Sequence, residues 1–196
     1  MALDGAFLAC LRQELIDALP DARIDKIHQP GREELVIALR FKGGNRKLYL
    51  SAGANSPRIH FTETAPENPA QPPMFCMLLR KHLSGARLVE VKQLPMERCA
   101  SFVFDCIDEL GDRVNKTLVA ELMGRTCNLY LLSPEGRIID CLRRIGLDES
   151  AKRAALPGLN YQYPDAITKE DPRSYDIQNY VNLLSAPGAD LLSDRL

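Results

Sequence analysis

Ser101-Phe102-Val103-Phe104-Asp105-Cys106-Ile107, followed by Thr117 to Met123 and Asn128 to Leu132, decides the fold class. Each run carries apolar residues either at period two or in a short unbroken stretch, which is strand patterning. Gly111 and Pro134-Glu135-Gly136 supply the turns, and Arg137 to Cys141 adds another strand. Upstream, Leu88 to Val91 begins the series. A strand about every ten residues predicts an antiparallel meander, in a sandwich or a strongly curved sheet.

Moving toward the N-terminus, Arg58 to Thr62 reads as a short strand. Leu35, Ile37, Leu39 and Phe41 alternate, then Gly43-Gly44-Asn45 turns the chain into Leu48 to Leu50, so this is a hairpin. From Arg23 the period changes. Before it, Asp4 can cap a helix whose apolar stripe is Phe7, Leu8, Leu11, Leu15 and Leu19, and Pro20 stops it. Between the two strand-rich regions, Pro66 to Pro73 holds four prolines and must be extended, because proline fixes φ and donates to no ladder. Phe75 to Leu83 then suits a short helix, which makes the class α+β. The composition shifts near Pro164: residues 165–196 hold six acidic and three basic residues, and Ser174 to Leu184 looks helical. The tail has too little apolar area to close a core, so Asp171-Pro172 reads as a linker into an unfinished second domain.

The chain has 196 residues, 25 Lys+Arg against 26 Asp+Glu, and 45% hydrophobic residues, an ordinary globular balance. Its longest apolar run, Met74 to Leu79, is far short of the ~18 residues that span a bilayer. Asp4 within the only hydrophobic start, and no basic leader, predict no secretory signal. Six cysteines at 10, 76, 99, 106, 127 and 141 form no Cys-x-x-Cys pair, and no His lies at zinc-ligand spacing. They read as reduced, mostly buried thiols of a cytoplasmic protein. No phosphate-binding glycine loop, dinucleotide fingerprint or nucleophile elbow is present. His28, His60 and His82 are isolated, and Glu33-Glu34 and Asp108-Glu109 sit beside turns. No catalytic constellation, metal or cofactor is therefore expected.

Positive charge cancels overall but not locally. Arg23 to Lys47 holds seven Lys/Arg against three Asp/Glu, and Arg80 to Arg98 holds five against two. Such stretches fit a phosphate-binding face, although charge runs also simply decorate solvated surfaces. With 6% aromatic residues and no Trp, backbone and shape recognition of folded RNA suits the chain better than base stacking. Arg80-Lys81-His82 are expected to emerge together at the end of their helix, where cations also complement the helix dipole.

Met1-Ala2-Leu3-Asp4-Gly5, Arg23 through Pro30, Asn68 through Leu83, Glu109 through Arg113 and Glu121 through Asn128 together resemble the NFACT-N domain of the RqcH/NEMF ribosome quality control family. Older naming calls such chains fibronectin-binding protein A, N-terminal. The resemblance implies an NFACT-N domain over residues 1–170, similar to the N-terminal domain of MutM-type glycosylases, an antiparallel β-sandwich flanked by helices. Residues 171–196 would be a linker and the incomplete start of a helix-hairpin-helix region. It further implies partners: tRNA, and the large ribosomal subunit with its rRNA and peptidyl-tRNA, where the family recruits alanyl-tRNA for template-free alanine tailing of nascent chains. Neither membrane nor small-molecule substrate enters that scheme, and the peptide-bond chemistry belongs to the ribosome.

The family's Asp-Arg pair tied to tRNA handling falls on Glu97 and Arg98, the acid here being Glu. Arg80, Lys81, Arg113 and Arg125 lie in matching motifs as further RNA contacts. Two alternatives remain, a DNA glycosylase or lyase and a fibronectin-binding adhesin. The glycosylase nucleophile is an N-terminal proline amine beside a Glu; Ala2 and Leu3 stand at those places.

Overall fold

The computed structural model describes residues 3–146, 153–165 and 176–185. The chain divides into two compact units, Met1–Asp165 and Ala166–Leu196. Met1, Ala2, the Asp171-Pro172 linker and the last eleven residues lie outside the described set. In the second unit the described element is a helix, α3 (Ile177–Ser185).

The first unit opens with α1 (Gly5–Ala18), whose Asp4 carboxylate accepts the Phe7 N–H at 2.7 Å and so satisfies a donor that the helix start leaves open. Strands β1 (Arg23–His28), β2 (Glu34–Phe41), β3 (Gly44–Ser51) and β4 (Arg58–Thr62) follow, then α2 (Met74–Leu83). The rest is β5 (Arg87–Gln93), β6 (Cys99–Ile107), β7 (Arg113–Glu121), a 3-10 turn (Gly124–Thr126), β8 (Asn128–Leu132) and β9 (Ile138–Cys141). The α+β class and the antiparallel meander are as the sequence predicts.

Two separate sheets do not form. All nine strands belong to one antiparallel sheet, ordered β4-β3-β2-β1-β5-β6-β7-β8-β9. Its two halves meet at β1, which the sequence reading leaves unassigned. Asp25 is a bulge between Ile24 and Lys26, so the burial alternation slips by one residue there and the period-two signal is lost. The seam is narrow, with Arg23 opposite Arg87 as the one ladder pair. Main-chain bonds from Ile24 to Ala86 (2.9 Å) and from Leu88 to Ala22 (2.8 Å) flank it.

Both halves turn their apolar faces into one core. Ile27, Leu35, Ile37, Leu39, Leu48 and Leu50 pack there with Phe102, Phe104, Leu118 and Leu129, against Leu8 and Leu15 of α1 and Leu79 and Leu83 of α2. Each such side chain contributes about 1.5–3 kcal/mol on burial. A smaller cluster on the other face of β6–β9 joins Cys99, Val119, Tyr130, Leu132, Ile138 and Cys141 to Ala155 and Tyr161. All five residues of β8 are buried, which explains its unbroken apolar run.

Candidate nucleic-acid interface

The β5–β6 turn carries Glu97 and Arg98 and is held from three sides. Gln93 Nε2 donates to the carbonyls of Gly5 (2.7 Å) and Glu97 (3.0 Å), tying the turn to the start of α1. Glu97 N–H donates to the Leu94 carbonyl at 3.0 Å, and the Arg98 carbonyl accepts from Leu122 N–H at 2.8 Å. A Cβ on Gly5 would meet the Met96 carbonyl oxygen at 2.0 Å, so only glycine permits this approach. Met96 itself adopts φ 55°, a left-handed conformation that a bulky residue keeps only when its surroundings impose it.

The two members of the pair then part company. Glu97 is buried, 3% exposed, whereas Arg98 is half-buried. Its guanidinium takes no carboxylate among the described residues, and Glu90 on β5 pairs with Lys92 at 2.9 Å. Arg98 lies near Cys127, whose thiol burial pushes up while Arg143 and Arg98 pull it partly back.

Four further arginines share this end of the sheet. Arg125 is exposed on the 3-10 turn between β7 and β8. Asn128, fully buried, accepts Arg143 N–H at 2.9 Å and donates to the Arg143 carbonyl at 2.8 Å, which anchors the end of β9. Arg143 reaches across to the Glu33 carboxylate and, at 3.2 Å, to the Ala52 carbonyl. Arg144 is held bidentately by Asp140 at 3.1 Å. Arg32 is exposed on the β1–β2 turn. A cleft of about 830 Å³ opens here, lined by Arg32, Arg143, Arg144, Gln29, Met74 and Phe75 among others. At its base Gln29 is buried, its Nε2 donating to the Arg32 carbonyl at 3.4 Å and its Oε1 without a partner.

Beneath the rim lies a buried ionic cluster. Glu121 is fully buried at the end of β7, where it accepts from Arg153 at 2.9 and 2.8 Å and from the Tyr161 hydroxyl at 2.6 Å. Burial raises the Tyr161 hydroxyl, with the Cys99 and Glu121 charges adding to it. Burial together with Glu121 pushes the Cys99 thiol up to about 12. The cluster pins residues 153–163 over β6–β8, directly behind the Arg98 turn.

The remaining sequence-derived contacts fall elsewhere. Arg113 faces Ile107 at the far end of β6, about 30 Å from Arg98 at ~3.3 Å per residue. It pairs with Asp105 at 3.6 Å, and Lys81 pairs with Glu109 at 2.6 Å at the same end. Arg80, Lys81 and His82 do not emerge together, because successive helical residues point about 100° apart. Arg80 Nε donates to the Ile27 carbonyl at 2.7 Å, Lys81 is exposed, and His82 Nδ1 meets Lys116 Nζ at 3.0 Å. Sequence reasoning missed Arg32, Arg143, Arg144 and the Glu121–Arg153 pair. A carboxylate inside the otherwise apolar run Leu118 to Leu122 was the available signal for the last, since a charge in a buried strand needs a partner. Among the described residues no group of His, Cys, Asp and Glu gathers into a metal site, and no helix is long and apolar enough to cross a membrane.

A family model described as NFACT N-terminal and middle domains matches residues 4–195. The chain is 39% identical over 173 residues to the Rqc2 homolog RqcH of Bacillus subtilis, covering 88% of this chain and 30% of that protein. It is 28% identical over 200 residues to the human ribosome quality control complex subunit NEMF, covering 94% of this chain and 18% of that one. Among solved structures, the N-terminal domain of fibronectin-binding protein PavA from Streptococcus pneumoniae superposes with a TM-score of 0.87 at 32% identity, covering 95% of this chain and 70% of that one. The chain thus spans less than a third of the length of these curated relatives.

Proposed function

This chain belongs to the NFACT N-terminal and middle domain family, and from that membership we propose that it is the RNA-binding N-terminal part of a ribosome quality control factor. In this reading the whole factor acts in the cytoplasm. It binds large ribosomal subunits obstructed by peptidyl-tRNA and recruits alanyl-tRNA, so that alanines are added to the nascent chain without a message. The chain transforms no substrate; it presents a surface. Residues 1–170 act as the NFACT-N domain, similar in topology to the N-terminal domain of MutM-type glycosylases, and 171–196 begin a helix-hairpin-helix region.

The observation that carries the reading is Arg98: a half-buried guanidinium without a carboxylate partner among the described residues, on a turn clamped by Gln93 and Gly5, close enough to Cys127 to act on its thiol together with Arg143, which lines the cleft. A planar donor fork carried on a clamped turn can meet a phosphate or a base edge with two parallel bonds. Arg125 and Arg32, both exposed, add charge on either side, while Arg143 and Arg144 are locked by acids and shape the wall. Glu97, being buried, is a positioning residue that shapes the turn under Arg98, so its extra methylene relative to Asp is absorbed inside the fold. The relatives solved as fibronectin- and fibrinogen-binding proteins carry those activities in their names; cations left without acids favour a polyanion here.

The test is Arg98→Ala. We expect tRNA affinity in filter binding to fall at least about tenfold, the size of one lost charge-assisted contact of ~1.5–3 kcal/mol, with an unchanged melting temperature. Equal affinity in both proteins overturns the assignment.

A further inference from the structure

Ion pairing is unevenly distributed over the molecule. Lys81, Arg87, Lys92, Arg113, Arg143, Arg144 and Arg153 each meet a carboxylate. Between Arg23 and Thr62 there are eight Lys/Arg against three Asp/Glu, and none of those eight forms an ion pair among the described residues.

Strand register shows where these cations sit. Ile24, Ile27, Leu35, Ile37, Leu39, Leu48 and Leu50 face the core, so their neighbours line the opposite face of β1–β4. Across that face Arg40 stands directly opposite Arg23, and Arg23 directly opposite Arg87. The next row sets Lys26 opposite Ala38 and Ala38 opposite Lys47, with the two lysines about 10 Å apart over two strand spacings. Arg58 lies further along on β4, its guanidinium 4.9 Å over the Tyr49 ring. Arg23, Lys26, Arg40, Lys47 and Arg58 are all exposed. Like charges directly opposite one another destabilise a sheet, so this face costs the free protein stability. His28, in the same field, is held below its ordinary value by burial and by Arg80, Lys26 and Lys47.

We propose that the outer face of β1–β4 is a second docking surface, for the phosphate backbone of double-helical RNA, separate from the Arg98 end. The juxtaposition of Arg23 with Arg40 and of Lys26 with Lys47 is the built feature. A groove of about 1010 Å³ passes over the face, with Lys26, His28, Lys47, Thr62 and Pro66 in its lining. The face offers no platform for unstacked bases: Tyr49 is 3% exposed with His60 stacked on it. Glu34 beside Tyr49 and the groove-lining Asp25 and Glu63 are outnumbered by the five exposed cations, an array that reads a backbone and carries no base specificity. The inference rests on the ribosome-association reading in naming RNA as the polyanion; the charge geometry is independent of Arg98.

The test uses the whole chain as wild type, K26Q/R40Q, the charge-preserving K26R/R40K, and R98A. Lys26 and Arg40 are exposed and make no side-chain hydrogen bond among the described residues, so their replacement leaves folding intact, which thermal melts verify. Binding to a blunt RNA duplex of about twenty base pairs is followed between about 50 and 200 mM salt. We expect K26Q/R40Q to lose about tenfold or more in affinity and the log-log salt slope to fall by about 2, one unit per phosphate contact. K26R/R40K and R98A should keep the wild-type slope. Identical affinity and slope in K26Q/R40Q and wild type, or no duplex binding by the wild type, overturns the proposal. Should R98A leave tRNA affinity untouched while K26Q/R40Q flattens the slope, the Arg98 reading fails and this surface stands.

Discussion

Replacing Arg153 with Met should be the more damaging way to break the buried ion pair behind the Arg98 turn. Glu121 is fully buried, while the Arg153 side chain keeps 25% of its surface in water. Removing the arginine strands a carboxylate that retains only the Tyr161 hydroxyl at 2.6 Å, a loss of about 3–5 kcal/mol. Glu121→Gln removes the charge instead, and the guanidinium left behind can turn toward solvent; that loss should be about 1.5–3 kcal/mol, the worth of hydrogen bonds to a charged group. At about 2–4 °C per kcal/mol for a unit of this size, the melting temperature falls by ~6–20 °C and ~3–12 °C respectively. Urea unfolding followed by circular dichroism gives the free energies directly. The double variant Glu121→Leu/Arg153→Met should lose less than Arg153→Met alone, since an apolar pair needs no compensation. An Arg153→Met variant no less stable than Glu121→Gln, or a double variant showing the sum of the single losses, would refute the claim that desolvation of Glu121 dominates this cluster.

Gly5→Ala must displace the Met96 carbonyl, which a new Cβ would approach to 2.0 Å; a stability loss of about 1–3 kcal/mol and a weaker tRNA complex should appear together, and loss of neither contradicts the close approach. Burial, followed by Lys116 and Lys81, holds His82 below its ordinary 6.5, and burial with Arg80 does the same for His28. The folded chain therefore binds fewer protons at these positions than the unfolded chain, so stability present above pH 6.5 is lost as pH falls below it. Thermal melts between about pH 7.5 and 5.5 should show this decline, shallower in His28→Gln/His82→Gln; equal slopes would remove the histidines as its source. Cys10 is exposed and the other five cysteines are buried, with burial pushing Cys99 and Cys141 up to about 12. A thiol reagent should label one cysteine at once and the rest only on unfolding; rapid labelling of two or more contradicts the burial.

Much of the fold is legible from local pattern because it depends on neighbours in sequence. The Asp4 cap, the Leu8–Leu11–Leu15 stripe and the alternation from Leu35 to Phe41 each need only period and turn chemistry, and they emerge as α1 and the β2–β3 hairpin. The reading stops at Asp25. One bulged residue hides β1, and with it the link that turns two expected sheets into a single one. Charge runs located the basic stretch from Arg23 to Lys47, yet register alone showed that its cations face one another across strands.

From its sequence alone this protein is set as an antiparallel α+β chain with a basic N-terminal hairpin region, since periodicity, capping and composition act over a few residues; Arg98 is singled out only by the family resemblance. Only the tertiary structure decided which charges meet. Arg143 reaches Glu33 and Arg153 reaches Glu121 over 110 and 32 residues of chain, whereas Arg98 is left without an acid among the described residues. Local patterning carries no term for such distances: a charge's partner is fixed by the closing of the sheet and by the cost of burying a carboxylate without one.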